Sequence, residues 1–339
     1  MKALIVERDG SLAIQEVSKP VPGPKQALVK TIACGICGTD TKIIHRCFKG
    51  FPDSAYPLIL GHEGVGEVIE LGAEVTTYKV GDKVLLPFLD ATPEMGSAYG
   101  ALSEYTIVHD AAAYPPNTAP EAAYAQTVLP TDINPIDAVM FVTFREVLSA
   151  IRYFSIQPQD SVVVYGCGPV GQVFVKFLNL LGSKDIVAVD IVDEKLSFAR
   201  QNGALLALNA YNTDVGASVR VLYPEGVRHV IDAAGSLMVV NMAMEILADR
   251  GNVLNYGVLP SERITIDFSP APYNWNFICQ QMPRKQEEAA AHEQVLEWLR
   301  EGRLLLKDFI SDYFQFSDAA EAYVKYLDGN VLKKGIIKF

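Results

Sequence analysis

Residues Ser161–Gly182 read SVVVYGCGPVGQVFVKFLNLLG, and this stretch decides the fold. SVVVYG is an apolar, β-branched run too short for a helix, which marks a buried strand. GQVFVKFLNLLG then shows helical spacing, with Gly166, Gly168 and Gly171 in the turn between the two. In this G-x-G-x-x-G pattern the first glycine permits the tight turn. The second lets the backbone approach a pyrophosphate, and the third lets helix and strand pack closely. Pro169 and Val170 lie at the mouth of the helix, whose free N–H groups and positive dipole end suit phosphate. A glycine motif alone is weak evidence, since glycines also serve plain structural turns.

Its surroundings strengthen it. DIVAVDI is a second buried strand and ends at Asp190, nineteen residues after Gly171. A carboxylate there accepts hydrogen bonds from the adenine ribose and repels a 2′-phosphate. The following Ile191, Val192 and Asp193 bring no base to welcome one, so the pattern favours NAD over NADP. DEKLSFARQNG starts on acidic residues and ends at glycine, as a helix does. HVIDAAGS, MAMEILADRG and NVLNYGV continue the strand–helix alternation, which predicts a doubly wound, parallel α/β sheet of Rossmann type.

The first third has a different texture. KALIVE, QALVKTIACGI, GVGEVIEL and VGDKVLLPF are short strands punctuated by Gly and Pro, with VSKPVPGPKQ a rigid turn among them. After residue 280, RKQEEAAAHEQVLEWLREGR and SDAAEAYVKYLDGN read as helices and KKGIIKF as a strand. These are too few for a third core, so they are expected to dock back onto an earlier domain. A chain of 339 residues is comfortable for two cores.

Composition narrows the function class. The net charge of −11 argues against nucleic-acid or anionic-membrane partners. No run reaches an uncharged membrane-span length, and the N-terminus lacks the apolar core of a signal peptide. Five scattered cysteines fit a reducing compartment rather than a disulfide framework, and the expectation is a cytoplasmic protein.

In TIACGICGTD, Cys34 and Cys37 have the spacing of a zinc knuckle, a redox dithiol, or a turn in which one sulfur matters. A knuckle needs a second matching pair, which the chain lacks, and a thioredoxin-like dithiol belongs in a βα unit, not in the β-rich first third. LGHEGVGEV adds His62 and Glu63 twenty-five residues after Cys37. Thiolate, imidazole and carboxylate are all competent zinc ligands, and three with a water is the stoichiometry of a catalytic site. Taken singly, each has a plainer role, as a small buried hydrophobe or a hydrogen-bonded histidine.

GICGTD, GHEGVGEV, VGDKV and GCGPVG, in this order and spacing, resemble the medium-chain, zinc-containing alcohol dehydrogenase family, in particular its polyol (sorbitol-type) and threonine dehydrogenase branches. The resemblance runs from MKALIV to KKGIIKF. It implies a β-rich, GroES-like catalytic domain over 1–142 and 279–339, a Rossmann domain over 143–278, and an active site in the cleft between them. Cys37 and His62 then match the ligands of one catalytic zinc, and Glu63 an acid that ligates it in polyol-type members. Thr39 matches the residue that passes on the substrate proton, and Asp40 a carboxylate that orients the histidine. Gly166, Gly168, Pro169, Val170, Gly171 and Asp190 match the coenzyme fingerprint. Lys195 matches a base near the adenosine, and Lys334 one near the pyrophosphate.

There are three departures from the family pattern. LLPFLDATPEMGSAYGALSEY holds no cysteine, which excludes a structural zinc. A further zinc-partner position carries Val142, followed by Thr143, with Glu146 a helical turn onward. A relay histidine is replaced by Lys42, which leaves His45 as a candidate catalytic residue at the end of the proton path. The expected activity is zinc-dependent hydride transfer between NAD and a secondary alcohol. Lys42, His45, Arg46, Asp90, Glu94, Arg145 and Glu146 around the expected pocket suggest a polyol, sugar or cyclitol substrate. The alternatives are a metal-independent NAD(P)H reductase of the same fold and a non-catalytic NAD-binding sensor. A homodimer or homotetramer is expected, with ERITIDF a candidate edge strand.

Overall fold

A computed structural model describes residues 1–93, 95–259 and 263–339. The chain forms two compact units, Met1–Arg145 with Arg284–Phe339, and Glu146–Pro283.

The first unit is built on two sheets. Leu12–Glu16, Lys2–Val6, Leu58–Ile59 and Gly96–Ser97 form the smaller one in that order. The larger runs Ile310–Gln315, Lys334–Lys338, Gln26–Gly35, Gly64–Leu71 and Lys83–Leu85, with Tyr105–His109 also paired to Gln26–Gly35. The long strand Gln26–Gly35 is the axis of this sheet. Its apolar residues are buried on both faces, from Ala27, Leu28 and Val29 to Ala33 and Cys34. The C-terminal strand lies antiparallel to it, Ile337 opposite Cys34 and Ile336 opposite Gly35. Two register shifts against Gly64–Leu71 interrupt the ladder before Gly35, and bulges of this kind bend a strand and re-aim the residues beyond them.

In the second unit six parallel strands lie in the order Leu206–Asn209, Ile186–Asp190, Val162–Tyr165, Val227–Asp232, Leu247–Asn255 and Trp275–Cys279. This is the doubly wound Rossmann order, whose direction reverses beside Val162–Tyr165. Val163, Val187, Val230 and Val253 come from four of these strands and meet in one buried cluster. Near-continuous β-branched runs are what a sheet covered on both faces requires.

The edge of this sheet is not the expected one. Of the segment ERITIDF, Glu262 lies outside the described residues, and 263–268 form no strand. Asn241 holds that segment instead, donating to the Thr265 carbonyl at 2.9 Å and accepting from the Asp267 N–H at 2.8 Å. A backbone tied to a helix side chain is not available to a strand ladder, and Trp275–Cys279 takes the edge.

Candidate metal and coenzyme sites

Gln26–Gly35 delivers the metal candidates. Gly35 N–H donates to the Glu63 carbonyl at 3.1 Å, which ties the end of the strand to the His62–Glu63 turn. A Cβ on Gly35 would stand 2.1 Å from Glu63 Oε2, so only glycine lets the Glu63 side chain cross at this point. Two residues on, Cys37 caps the short helix Gly38–Ile44, its N–H donating to Asp40 Oδ2 at 3.1 Å. Cys34 stays fully buried in the strand, and burial raises the pKa of its thiol, which keeps it an inert core residue.

Cys37, His62 and Glu63 each offer a ligand atom, and these atoms all lie within 4.8 Å of one another. Among the described residues this is the only such cluster of three or more His, Cys, Asp or Glu side chains. His62 Nδ1 lies 3.2 Å from Asp40 Oδ1 but short of hydrogen-bond alignment, and neither atom has another partner. With Nδ1 facing a carboxylate, Nε2 is the nitrogen left available to a metal. Burial by itself would lower the His62 pKa. Asp40, then Cys37, outweigh burial and hold the imidazole well above its ordinary value. This soft–borderline donor set suits zinc, and a set of three protein donors matches the stoichiometry of a catalytic rather than a structural ion.

Glu63 is 1% exposed and has a full counter-charge. Lys334 Nζ donates to Oε1 at 2.7 Å and Oε2 at 2.6 Å, and the Thr143 hydroxyl reaches Oε1 at 3.3 Å. Burial opposes the Lys334 ammonium, but the charges of Glu63 and Cys37 overcome it and raise its pKa. An aromatic wall begins beside His62. Tyr99 stands 5.8 Å from the imidazole, Phe88 lies 5.4 Å from Tyr99, and Phe51 meets Tyr99 edge-on at 6.3 Å.

The glycine turn of the second unit has the geometry that a dinucleotide needs. Gly166 sits at φ +90°, where a side chain would be strained and would crowd Ala234. Gly171 lies so close to the turn that a Cβ would stand 1.7 Å from the Gly166 carbonyl oxygen. A Cβ on Gly168, by contrast, would meet nothing within 4 Å, and this glycine caps the helix Pro169–Leu180. Open space over free helix N–H groups is geometry suited to an anion. Asp190 ends its strand as expected. Its Oδ2 accepts from Cys167 N–H at 2.6 Å, and its Oδ1 from Ile191 and Val192 N–H at 2.8 and 3.0 Å. The carboxylate is thereby fixed beside the glycine turn, with acceptor capacity remaining on Oδ2.

Comparison with known proteins places the chain in a family. Residues 23–118 match the alcohol dehydrogenase GroES-like domain, and residues 169–280 match the zinc-binding dehydrogenase domain. Alcohol dehydrogenase from Geobacillus stearothermophilus is 30% identical over 284 residues, covering 77% of this chain and 79% of that protein. The chain belongs to the zinc-binding alcohol dehydrogenase family. D-xylulose reductase from Saccharomyces cerevisiae is 27% identical over 337 residues, covering 95% of this chain and 93% of that protein. The structure of alcohol dehydrogenase TADH from Thermus sp. ATN1 superposes with a TM-score of 0.83 at 25% identity, covering 100% of both chains.

Within this zinc-binding dehydrogenase several residues sit differently from the family pattern. Lys334, expected at the pyrophosphate, has both its near partners on Glu63, because an ammonium this deeply buried requires a carboxylate beside it. His45 is not brought to the donor cluster. It is exposed at the C-cap of Gly38–Ile44, six residues beyond Thr39, which puts it about 9 Å along the helix and on another face. Val142 is fully buried, and its neighbour Thr143 is the residue that touches Glu63. Glu146 is outside the donor cluster. Thr39 is half-buried in the first helical turn, and its hydroxyl has no partner among the described residues.

The charges assigned to the substrate pocket are also redistributed. Arg145 is fully buried and donates to the Ala125 carbonyl at 2.8 Å. Arg46 pairs with Asp53 at 2.9 Å, and Glu94 lies outside the described residues. Two contacts were not readable from sequence: Lys334 to Glu63, and Tyr323 to Asp40 at 2.7 Å. The partners are 271 and 283 residues apart along the chain, far beyond the reach of any local pattern.

Proposed function

We propose that this dehydrogenase oxidises a secondary alcohol of the polyol, sugar or cyclitol class, with zinc at Cys37, His62 and Glu63 and with NAD at the glycine turn. The convergence of a thiol, an imidazole and a carboxylate within 4.8 Å carries this reading. Zinc supplies Lewis acidity toward an alcohol oxygen, and NAD supplies the acceptor for the hydrogen and two electrons. The chain's own residues bind, orient and move the proton. Asp40 faces His62 Nδ1 and leaves Nε2 for the metal. Thr39 Oγ1, half-buried in the first turn of the helix, takes the hydrogen bond of the substrate hydroxyl and hands its proton outward through solvent, since His45 is beyond direct reach. Lys334 balances the Glu63 charge and keeps that carboxylate at the site.

NAD is preferred over NADP because Asp190 carries a negative charge at the end of its strand and nothing basic follows it in 191–193. Lys195 lies in the helix Asp193–Asn202 that follows Asp190, and we assign it to the adenosine side. The polyol reading is supported by D-xylulose reductase among the relatives that match nearly the whole chain. The Phe51, Phe88 and Tyr99 wall favours cyclic over linear polyols, because a ring offers a flat C–H face to it. A screen of cyclitols, sugar acids, linear polyols and simple alcohols, followed by NADH absorbance, tests this. Turnover of a cyclic polyol above linear polyols and simple alcohols is the expected result, and a linear polyol turned over best removes the role given to the aromatic wall. Preference for ethanol-like substrates, or activity that survives zinc removal, overturns the reading.

A further inference from the structure

Asp40 is where the Cys37 and His62 positions meet, and it is fully buried. Its Oδ2 accepts the Cys37 N–H at 3.1 Å and the Tyr323 hydroxyl at 2.7 Å. Its Oδ1 faces His62 Nδ1 at 3.2 Å, and neither of those two atoms has a hydrogen-bond partner elsewhere. A carboxylate with two donors on one oxygen cannot rotate without losing them, so its other oxygen is held in one direction. Cys37 N–H alone would leave that rotation open, whereas the second donor closes it.

Tyr323 is itself held firmly. It lies on the helix Ala319–Leu327, in the first unit, and is 0% exposed. Burial, and next the Asp40 charge, hold its phenol well above the ordinary pKa, so it remains a donor. A phenylalanine would fill the same space. A buried hydroxyl is tolerated only where it finds a partner, and here the partner is the anion behind the metal candidates.

We propose that Tyr323 is a positioning residue for the metal centre, its hydroxyl locking Asp40 so that Oδ1 stays aimed at His62 Nδ1 and Nε2 stays aimed at zinc. The proposal rests on the zinc reading of Cys37 and His62. Through Asp40 the C-terminal helix thus governs the affinity and geometry of a metal whose ligands lie more than 250 residues earlier, the Tyr323–Asp40 separation being 283 residues. Tyr323 touches neither the metal nor the substrate.

The test uses the full chain as wild type, Tyr323→Phe, Asp40→Asn and the double variant. Each is stripped with a chelator and titrated with zinc against a chromophoric competitor, and each is also loaded with cobalt(II) for its absorption spectrum. Tyr323→Phe is expected to weaken zinc about 10–100-fold, the usual effect of losing a hydrogen-bond partner behind a ligand, and to alter the cobalt bands. NAD binding is expected to stay unchanged, and the double variant to bind zinc no more weakly than Asp40→Asn alone. Zinc affinity within twofold of wild type together with an unchanged cobalt spectrum overturns the proposal. So do losses that simply add in the double variant, or a Tyr323→Phe effect confined to the thermal stability of the stripped protein. A wild type that takes up no zinc overturns the zinc reading and this proposal with it.

Discussion

Glu63 and Lys334 form an ion pair with both side chains 1% exposed, and removing one partner of such a pair leaves an uncompensated buried charge. Lys334→Met should destabilise the metal-free protein by about 3–5 kcal/mol in urea unfolding, and Lys334→Met with Glu63→Leu should recover most of that. If the single variant is as stable as wild type, the pair is not buried as described. Cys37 and the His62–Glu63 pair were legible from residue types and spacing, because metal chemistry restricts the donors to a short list. Lys334 was legible as a base near the C-terminus but not as the partner of Glu63. That contact depends on Lys334–Lys338 lying beside Gln26–Gly35, which no local pattern encodes.

At the scale of the element, the strand–turn–helix Val162–Leu180 separates a tightly packed glycine, Gly171, from one facing open space, Gly168, for which we propose a coenzyme contact. Gly171→Ala places a methyl 1.7 Å from the Gly166 oxygen and should lower the melting temperature by several degrees. Gly168→Ala meets nothing within 4 Å and sits at φ −68°, so it should leave stability unchanged while weakening NAD binding at least tenfold in a fluorescence titration. Equal effects of the two changes on stability would contradict this division of roles. The helix Lys285–Arg300 carries a separate prediction. His292 is buried against Phe141, and burial, followed by the charges of Arg145 and Arg300, lowers its pKa to about 4. The unfolded chain therefore takes up a proton near pH 6.5 that the folded chain refuses. Stability from this group is complete above that pH and is lost as pH falls toward 4. His292→Gln should flatten the acid limb of the stability profile over that interval, and an unchanged acid limb would remove His292 as its source. Short apolar runs and turn residues made the parallel strands readable, because run length and punctuation are local. The edge was misplaced because ERITIDF has strand-like alternation, and Asn241 claims its backbone instead.

Over the whole molecule, the order GICGTD, GHEGVGEV, VGDKV and GCGPVG was enough to anticipate a β-rich unit and a Rossmann unit in one chain. The substrate was much less legible. Charges near the expected pocket looked like sugar-binding groups, yet Arg145 supports the Ala125 carbonyl and Arg46 pairs with Asp53. Which polar groups remain free for a ligand is decided by tertiary contacts, and a sequence shows the groups without those contacts. The central claim, a zinc centre on Cys37 and His62, is tested most directly by metal analysis of the purified wild type beside Cys37→Ala and His62→Ala, with NAD binding measured on the same samples. The prediction is about one zinc per chain in wild type, almost none in either variant, and NAD binding retained in all three. Zinc retained by both variants, or a zinc-free wild type with full alcohol dehydrogenase activity, would contradict it.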